Sequence, residues 1–144
     1  MNKAALLFGS ALIFLTTQAF AQSPLGKWKS VDDKTGDTKA VVNISEQNGR
    51  LVGVIESLYR KPDEDPHPVC DQCEGALKNQ PIIGLRIIEG MVADGDGYSG
   101  GTIIDPATGK SYKCKITVED GGAKLNVRGY VGTPMFGRTQ VWVR

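Results

Sequence analysis

Ser111-Tyr-Lys-Cys-Lys-Ile-Thr-Val118 decides the fold. In an extended chain Tyr112, Cys114, Ile116 and Val118 share one face, and Ser111, Lys113, Lys115 and Thr117 share the other. Alternation with a period of two belongs to a strand that has one dry and one wet side. The same rhythm runs through Lys39–Ser45, with Ala40, Val42 and Ile44 alternating against Lys39, Val41, Asn43 and Ser45. It returns in Lys124–Val131, where Leu125, Val127, Gly129 and Val131 oppose Lys124, Asn126, Arg128 and Tyr130. In Arg138–Arg144 the apolar set is Thr139, Val141 and Val143, against Arg138, Gln140, Trp142 and Arg144.

Turn residues punctuate these runs. Asn48-Gly49 tolerates positive φ at both positions and closes a tight hairpin. Asp94–Gly97, Asp105–Gly109 and Asp120–Gly122 are turns of similar composition. Strands are expected near 26–31, 38–46, 50–58, 82–92, 98–104, 111–119, 123–131 and 138–144. No major helix is expected. Spacing this regular predicts an all-β, antiparallel up-and-down meander of about eight strands, closed as a small barrel or sandwich.

The first 21 residues read differently. Met1-Asn2-Lys3 is a short basic start, Ala4–Phe14 is an apolar run, and Ala19-Phe20-Ala21 is a small-x-small cleavage pattern. A signal peptide over 1–21, cut after Ala21, is expected, leaving 22–144 as one domain in the periplasm or secreted. Lys3 is the only charged residue in that leader, so the remaining chain has 16 basic and 16 acidic residues. That balance argues against a nucleic-acid partner. No later apolar stretch reaches the ~18 residues of a spanning helix. An outer-membrane barrel would face its apolar stripe to lipid. The seven aromatics after Ala21 are too few for two girdles, and the expected strands 26–31, 98–104 and 138–144 fall short of the ~9–11 residues needed to span.

Residues 60–79 break the rhythm with three prolines, the acidic run Asp63-Glu64-Asp65 and the pair Cys70, Cys73. A loop of this length in a small domain is functional or stapled. Neighbouring carboxylates disfavour a thiolate, so a thioredoxin-like role is a poor fit. A Cys70–Cys73 disulfide, worth about 2 kcal/mol for so short a loop, is the expectation, with Cys114 reduced and buried on the dry face of its strand. His67, Cys70 and Cys73 together offer an alternative thiol or metal site. No metal or other cofactor is otherwise implied. Asp94–Tyr98 lacks the later carboxylates of a calcium loop, Thr108-Gly-Lys110 lacks the frame of a phosphate loop, and His67 is the only histidine to serve as a base. No catalytic constellation emerges.

Gly26-Lys-Trp28, Gly100–Tyr112 and the closing stretch Arg128–Arg144, with the Cys-x-x-Cys between them, resemble the bacterial family labelled Domain of Unknown Function 2147. That resemblance implies an exported, single-domain protein of Gram-negative bacteria and supplies no catalytic residues. Gly-x-Trp on a first strand is also similar to the lipocalin signature. It implies that Trp28 plugs one end of an eight-stranded barrel, with Arg138 or Arg144 laid over its ring.

Medium-sized aliphatics can fill such an interior, and a solid core is the expectation. The alternative is a cavity of ~300 Å³ or more with apolar walls, suited to a lipid-like or aromatic guest. Trp28, Tyr112, Tyr130 and Arg138 are the side chains expected to meet it. Two functions follow. One is a non-enzymatic barrel that binds a small apolar molecule or envelope component. The other is an interaction module with a filled core, docking an envelope protein through the 60–79 loop.

Overall fold

The computed structural model describes residues 4, 5, 9, 11–13 and 23–144. The cleavage site expected after Ala21, and most of the segment before it, lie outside the described residues. Eight strands follow one another: β1 (Gly26–Val31), β2 (Thr38–Gln47), β3 (Arg50–Leu58), β4 (Arg86–Asp94), β5 (Gly97–Asp105), β6 (Lys110–Glu119), β7 (Lys124–Tyr130) and β8 (Gly137–Val143). Each pairs antiparallel with the next, and β1 meets β8 through Lys29 and Val143, closing the barrel. Single 3₁₀ turns at Gly75–Leu77 and Asp120–Gly122 are the helical segments among the described residues. The expected all-β meander is therefore the fold.

Alternation explains the interior. Ala40, Val42 and Ile44 of β2, Cys114 and Ile116 of β6, and Leu125 and Val127 of β7 are all buried in one apolar cluster. No charged or polar residue is buried among those described. The outward positions of β6 and β7 carry Lys113, Lys115, Lys124, Asn126 and Arg128. A lipid-facing strand would place apolar side chains there. No helix among the described residues is long and apolar enough to cross a membrane.

Three expectations need correction. The fourth strand starts at Arg86 rather than 82, because Ile82–Gly84 belongs to the loop: the Ile82 N–H donates to Pro68 O (3.0 Å) and the Gly84 N–H to Ile55 O (2.7 Å). Val131 leaves the dry face of β7 and is 66% exposed, since the strand ends at Tyr130. In β8 the inward set is the polar-looking one. Trp142 stands opposite Leu125 and Gln140 opposite Val127, whereas Val141 is 41% exposed. Pairing to the buried residues of β7 sets the register of β8, and it overrides the weaker signal of Val141 and Val143.

The strands divide the barrel into two ends. The tight turns after β2, β4 and β6 lie at one end with Gly26 and Arg144. The connections after β1, β3, β5 and β7 lie at the other, and among them is the long segment from Tyr59 to Leu85.

Candidate functional site

At the end with the tight turns, Trp28 is fully buried and its indole N–H donates to Pro24 O at 2.7 Å. The Arg144 guanidinium lies 4.0 Å from the ring centroid. It also donates to Gly122 O (2.8 Å), Leu25 O (3.0 Å) and Ser23 O (3.1 Å). One cation thus ties the approach to β1, the turn after β6 and the end of β8 over a single aromatic face. This end is closed.

The other end is open. A cavity of about 1160 Å³ enters the barrel there. Its walls include Val42, Ile55, Ile87, Ile103 and Val127 with the aromatic side chains of Tyr112 and Trp142, and the lining also takes in Tyr59, Tyr130, Phe136 and Arg138. The expected solid core is corrected by this cavity. Trp28 and its neighbours fill one half of the barrel, while small residues hold space in the other. Gly129 faces Tyr112 and Ile103, and a Cβ there would come within 3.4 Å of the Tyr112 Cβ and 3.5 Å of the Ile103 Cγ2. Ala40 and Ser30 widen the wall further.

Polar groups are few inside and frequent at the rim. Gln140 accepts a hydrogen bond from the Trp142 indole N–H at 3.0 Å, which leaves its amide nitrogen free to donate. Arg138 grips Asp33 with two hydrogen bonds, one of them 3.0 Å from Nε, and so pins the β1–β2 connection beside the mouth. Those bonds hold the Asp33 carboxyl below the usual carboxylate range and raise the Arg138 guanidinium. Asp32 is held low as well, by the backbone N–H groups of Thr35 and Lys34.

The long loop flanks the same mouth. Cys70 and Cys73 form a disulfide, with a Cα–Cα distance of 5.3 Å, and both are buried against the core cluster. Their sulfurs are bonded to one another and so are available neither as thiolates nor as ligands. His67 is exposed, its backbone N–H held by Asp65 Oδ1 at 2.8 Å. The alternative thiol or metal site of His67, Cys70 and Cys73 is therefore corrected to a structural clasp. Cys114 is the remaining free cysteine, and burial pushes its thiol up to about 12. The clasp seats on the β5–β6 turn at Gly109. A Cβ at that position would fall 1.8 Å from Gln72 O, and the φ of +71° suits glycine.

A family model described as "Uncharacterized protein conserved in bacteria (DUF2147)" matches residues 26–144. The chain belongs to that family. No curated protein matches it in sequence. Among solved structures the DUF2147 barrel is similar to protein HP1028 from Helicobacter pylori, a pathogen whose protein is described as belonging to the lipocalin family. The TM-score is 0.69 at 17% identity, over 85% of this chain and 82% of that one, which establishes a shared lipocalin-like fold.

Of the four side chains expected at a guest site, Tyr112, Tyr130 and Arg138 come together around the cavity. Trp28 lies outside the cavity lining, in the closed half. Of the two candidate arginines, Arg144 covers Trp28, and Arg138 stands at the opposite end. Sequence reasoning missed Trp142 and Gln140. The signal for them was pairing: Leu125 and Val127 are inward, so their partners across the ladder are inward too.

Proposed function

We propose that this DUF2147 barrel is a non-enzymatic binding protein that takes one mainly apolar molecule into its open half. The observation carrying this is the cavity of about 1160 Å³ walled by Ile, Val and Tyr side chains. Ligand pockets are commonly ~300–1,000 Å³, apolar, with a few placed polar groups; this space is slightly larger and its inner walls are of that kind. The guest's apolar body would rest on Ile55, Ile87, Ile103 and Tyr112. A polar end would turn towards Gln140 or the rim at Tyr130 and Arg138. Each Å² of apolar guest surface removed from water is worth ~25 cal/mol, so burial supplies the affinity and the polar groups set orientation. We propose further that the protein works outside the cytoplasm, with Met1–Ala21 as its export segment. The basic start and the Ala-Phe-Ala pattern support that, and a native N-terminus at Gln22 would be the expected finding.

The test is uptake of a fluorescent fatty-acyl probe, read through its emission and through transfer from Trp142, beside native mass spectrometry of protein purified without denaturation. Saturable uptake that Gly129→Leu abolishes, by placing a side chain against Tyr112 and Ile103, is the expected result. A folded wild-type protein with no uptake of acyl or aromatic probes and no co-purified molecule would overturn the proposal.

A further inference from the structure

The β7–β8 connection has an unusual surface for a loop. Val131 is 66% exposed, Met135 81% and Phe136 70%. Loops ordinarily keep apolar side chains of this size out of water, and a cluster of them marks a contact. The loop is held in this posture by its own bonds. Val131 N–H donates to Phe136 O (3.1 Å) and Phe136 N–H to Thr133 O (3.0 Å). From beneath, the Arg128 guanidinium donates to Pro134 O (2.6 Å) and to Thr139 Oγ1 (2.9 Å), and Lys113 Nζ reaches Gly132 O at 3.4 Å.

Charge supplies the second observation. From Lys110 to Arg144 there are seven basic residues and two acidic ones, Glu119 and Asp120. Both acids sit at the turn after β6, at the closed end of the barrel, with Lys124 paired to Asp120 (3.1 Å) and Arg144 beside them, and Arg138 is paired with Asp33. The rest of the chain after Ala21 carries nine basic and 14 acidic residues, so the closing stretch of a neutral protein holds its surplus of positive charge. The wall beneath the apolar tip is cationic, with Lys113, Lys115 and Arg128 outward on β6 and β7.

We propose that this tip and its cationic flank dock on the surface of an anionic phospholipid bilayer. An apolar wedge backed by ammonium and guanidinium groups is the complement of acyl chains beneath a layer of phosphates. A protein partner would need no such layering of an apolar tip over Lys113, Lys115 and Arg128. Val131 and Phe136 also border the cavity, so docking brings that side of the mouth, and not its acidic side at Asp32 and Asp37, to the lipid. The docking itself does not depend on what the cavity holds.

Flotation with vesicles of phosphatidylethanolamine and phosphatidylglycerol, against vesicles of phosphatidylcholine alone, tests this. Binding to the anionic vesicles that falls with added salt is expected. Met135→Ser with Phe136→Ser should weaken it by about a hundredfold, and Lys113→Gln with Lys115→Gln by about tenfold to thirtyfold. All four positions are at the surface, and thermal melts confirm that the variants fold. Absence of binding, or binding unchanged in the tip variant, overturns the proposal. So does self-association through the tip in sedimentation, or capture by a protein while vesicles go unbound. Probe uptake measured without vesicles reads the cavity separately, so the failure of either proposal is distinguishable from failure of the other.

Discussion

Replacing Arg144 by alanine removes the cap of the closed end and nothing else. The side chain makes three hydrogen bonds to carbonyls, of Ser23, Leu25 and Gly122, and covers the face of Trp28. The hydrogen bonds are exposed, so each lies at the low end of the range, about 0.5 kcal/mol. The cation–π contact adds about 0.5–1 kcal/mol at an exposed site. The carbonyls freed by the change can be rehydrated, which keeps the total near 2 kcal/mol. For a domain of this size that lowers Tm by roughly 8 °C. Urea denaturation followed by far-ultraviolet dichroism should show a lower midpoint at unchanged slope. Arg144→Lys should recover less than half of the loss, because an ammonium cannot reach three carbonyls and cover the ring at once. A cycle with Trp28→Leu, which removes the ring, should show coupling of about 0.5–1 kcal/mol between the two positions. Probe affinity should not change, because the cavity opens at the other end. An Arg144→Ala variant within about 0.5 kcal/mol of the parent would refute the reasoning.

Thiol counting gives a second prediction. Of the three cysteines none should react in the native protein, one in denaturant and all three after reduction. Burial favours the neutral Cys114 thiol and raises its folded value to about 12. Its contribution to stability should be complete below the unfolded value near ~8.5 and fade as pH rises towards 12, a loss absent from Cys114→Val. Gly109→Ala places a methyl against the backbone of the clasp and forces a positive φ, and should cost about 3 kcal/mol with faster reduction of Cys70–Cys73 by dithiothreitol. Asp33→Asn should release the 32–37 connection, seen as faster hydrogen exchange there. Because Arg138 depresses the Asp33 value, the pair's contribution is present above the unfolded value near ~3.9 and disappears as pH falls through the folded one. In the parent, exchange in 32–37, corrected for its intrinsic pH dependence, should therefore be flat from about pH 5 upwards and quicken below about pH 4.

What was legible in the sequence is what period two and turn chemistry determine locally. Ser111–Val118 shows its two faces in its composition, and Asn48-Gly49 adopts the double positive φ, 54° and 77°, that its residue types allow. From such pieces an up-and-down order follows, since hairpins of this length join neighbours. Local pattern fails where partners far along the chain decide. In β8 the valines advertise one face, but Leu125 and Val127 across the ladder assign the other, and Trp142 goes inside. The cavity was hidden for a related reason. Side-chain volume summed along strands says that aliphatics could fill the interior, but the two halves are not filled alike. Trp28 and its neighbours consume the closed half, while Gly129, Ala40 and Ser30 leave the open half wide. The choice between Arg138 and Arg144 was equally non-local. Both lie on β8 or its extension six residues apart, about 20 Å in an extended chain, which is enough to send them to opposite ends of the barrel. One arginine therefore seals the floor and the other braces the mouth. The asymmetry between the closed and the open half of this barrel is written less in its motifs than in which residues of one strand face which residues of the next.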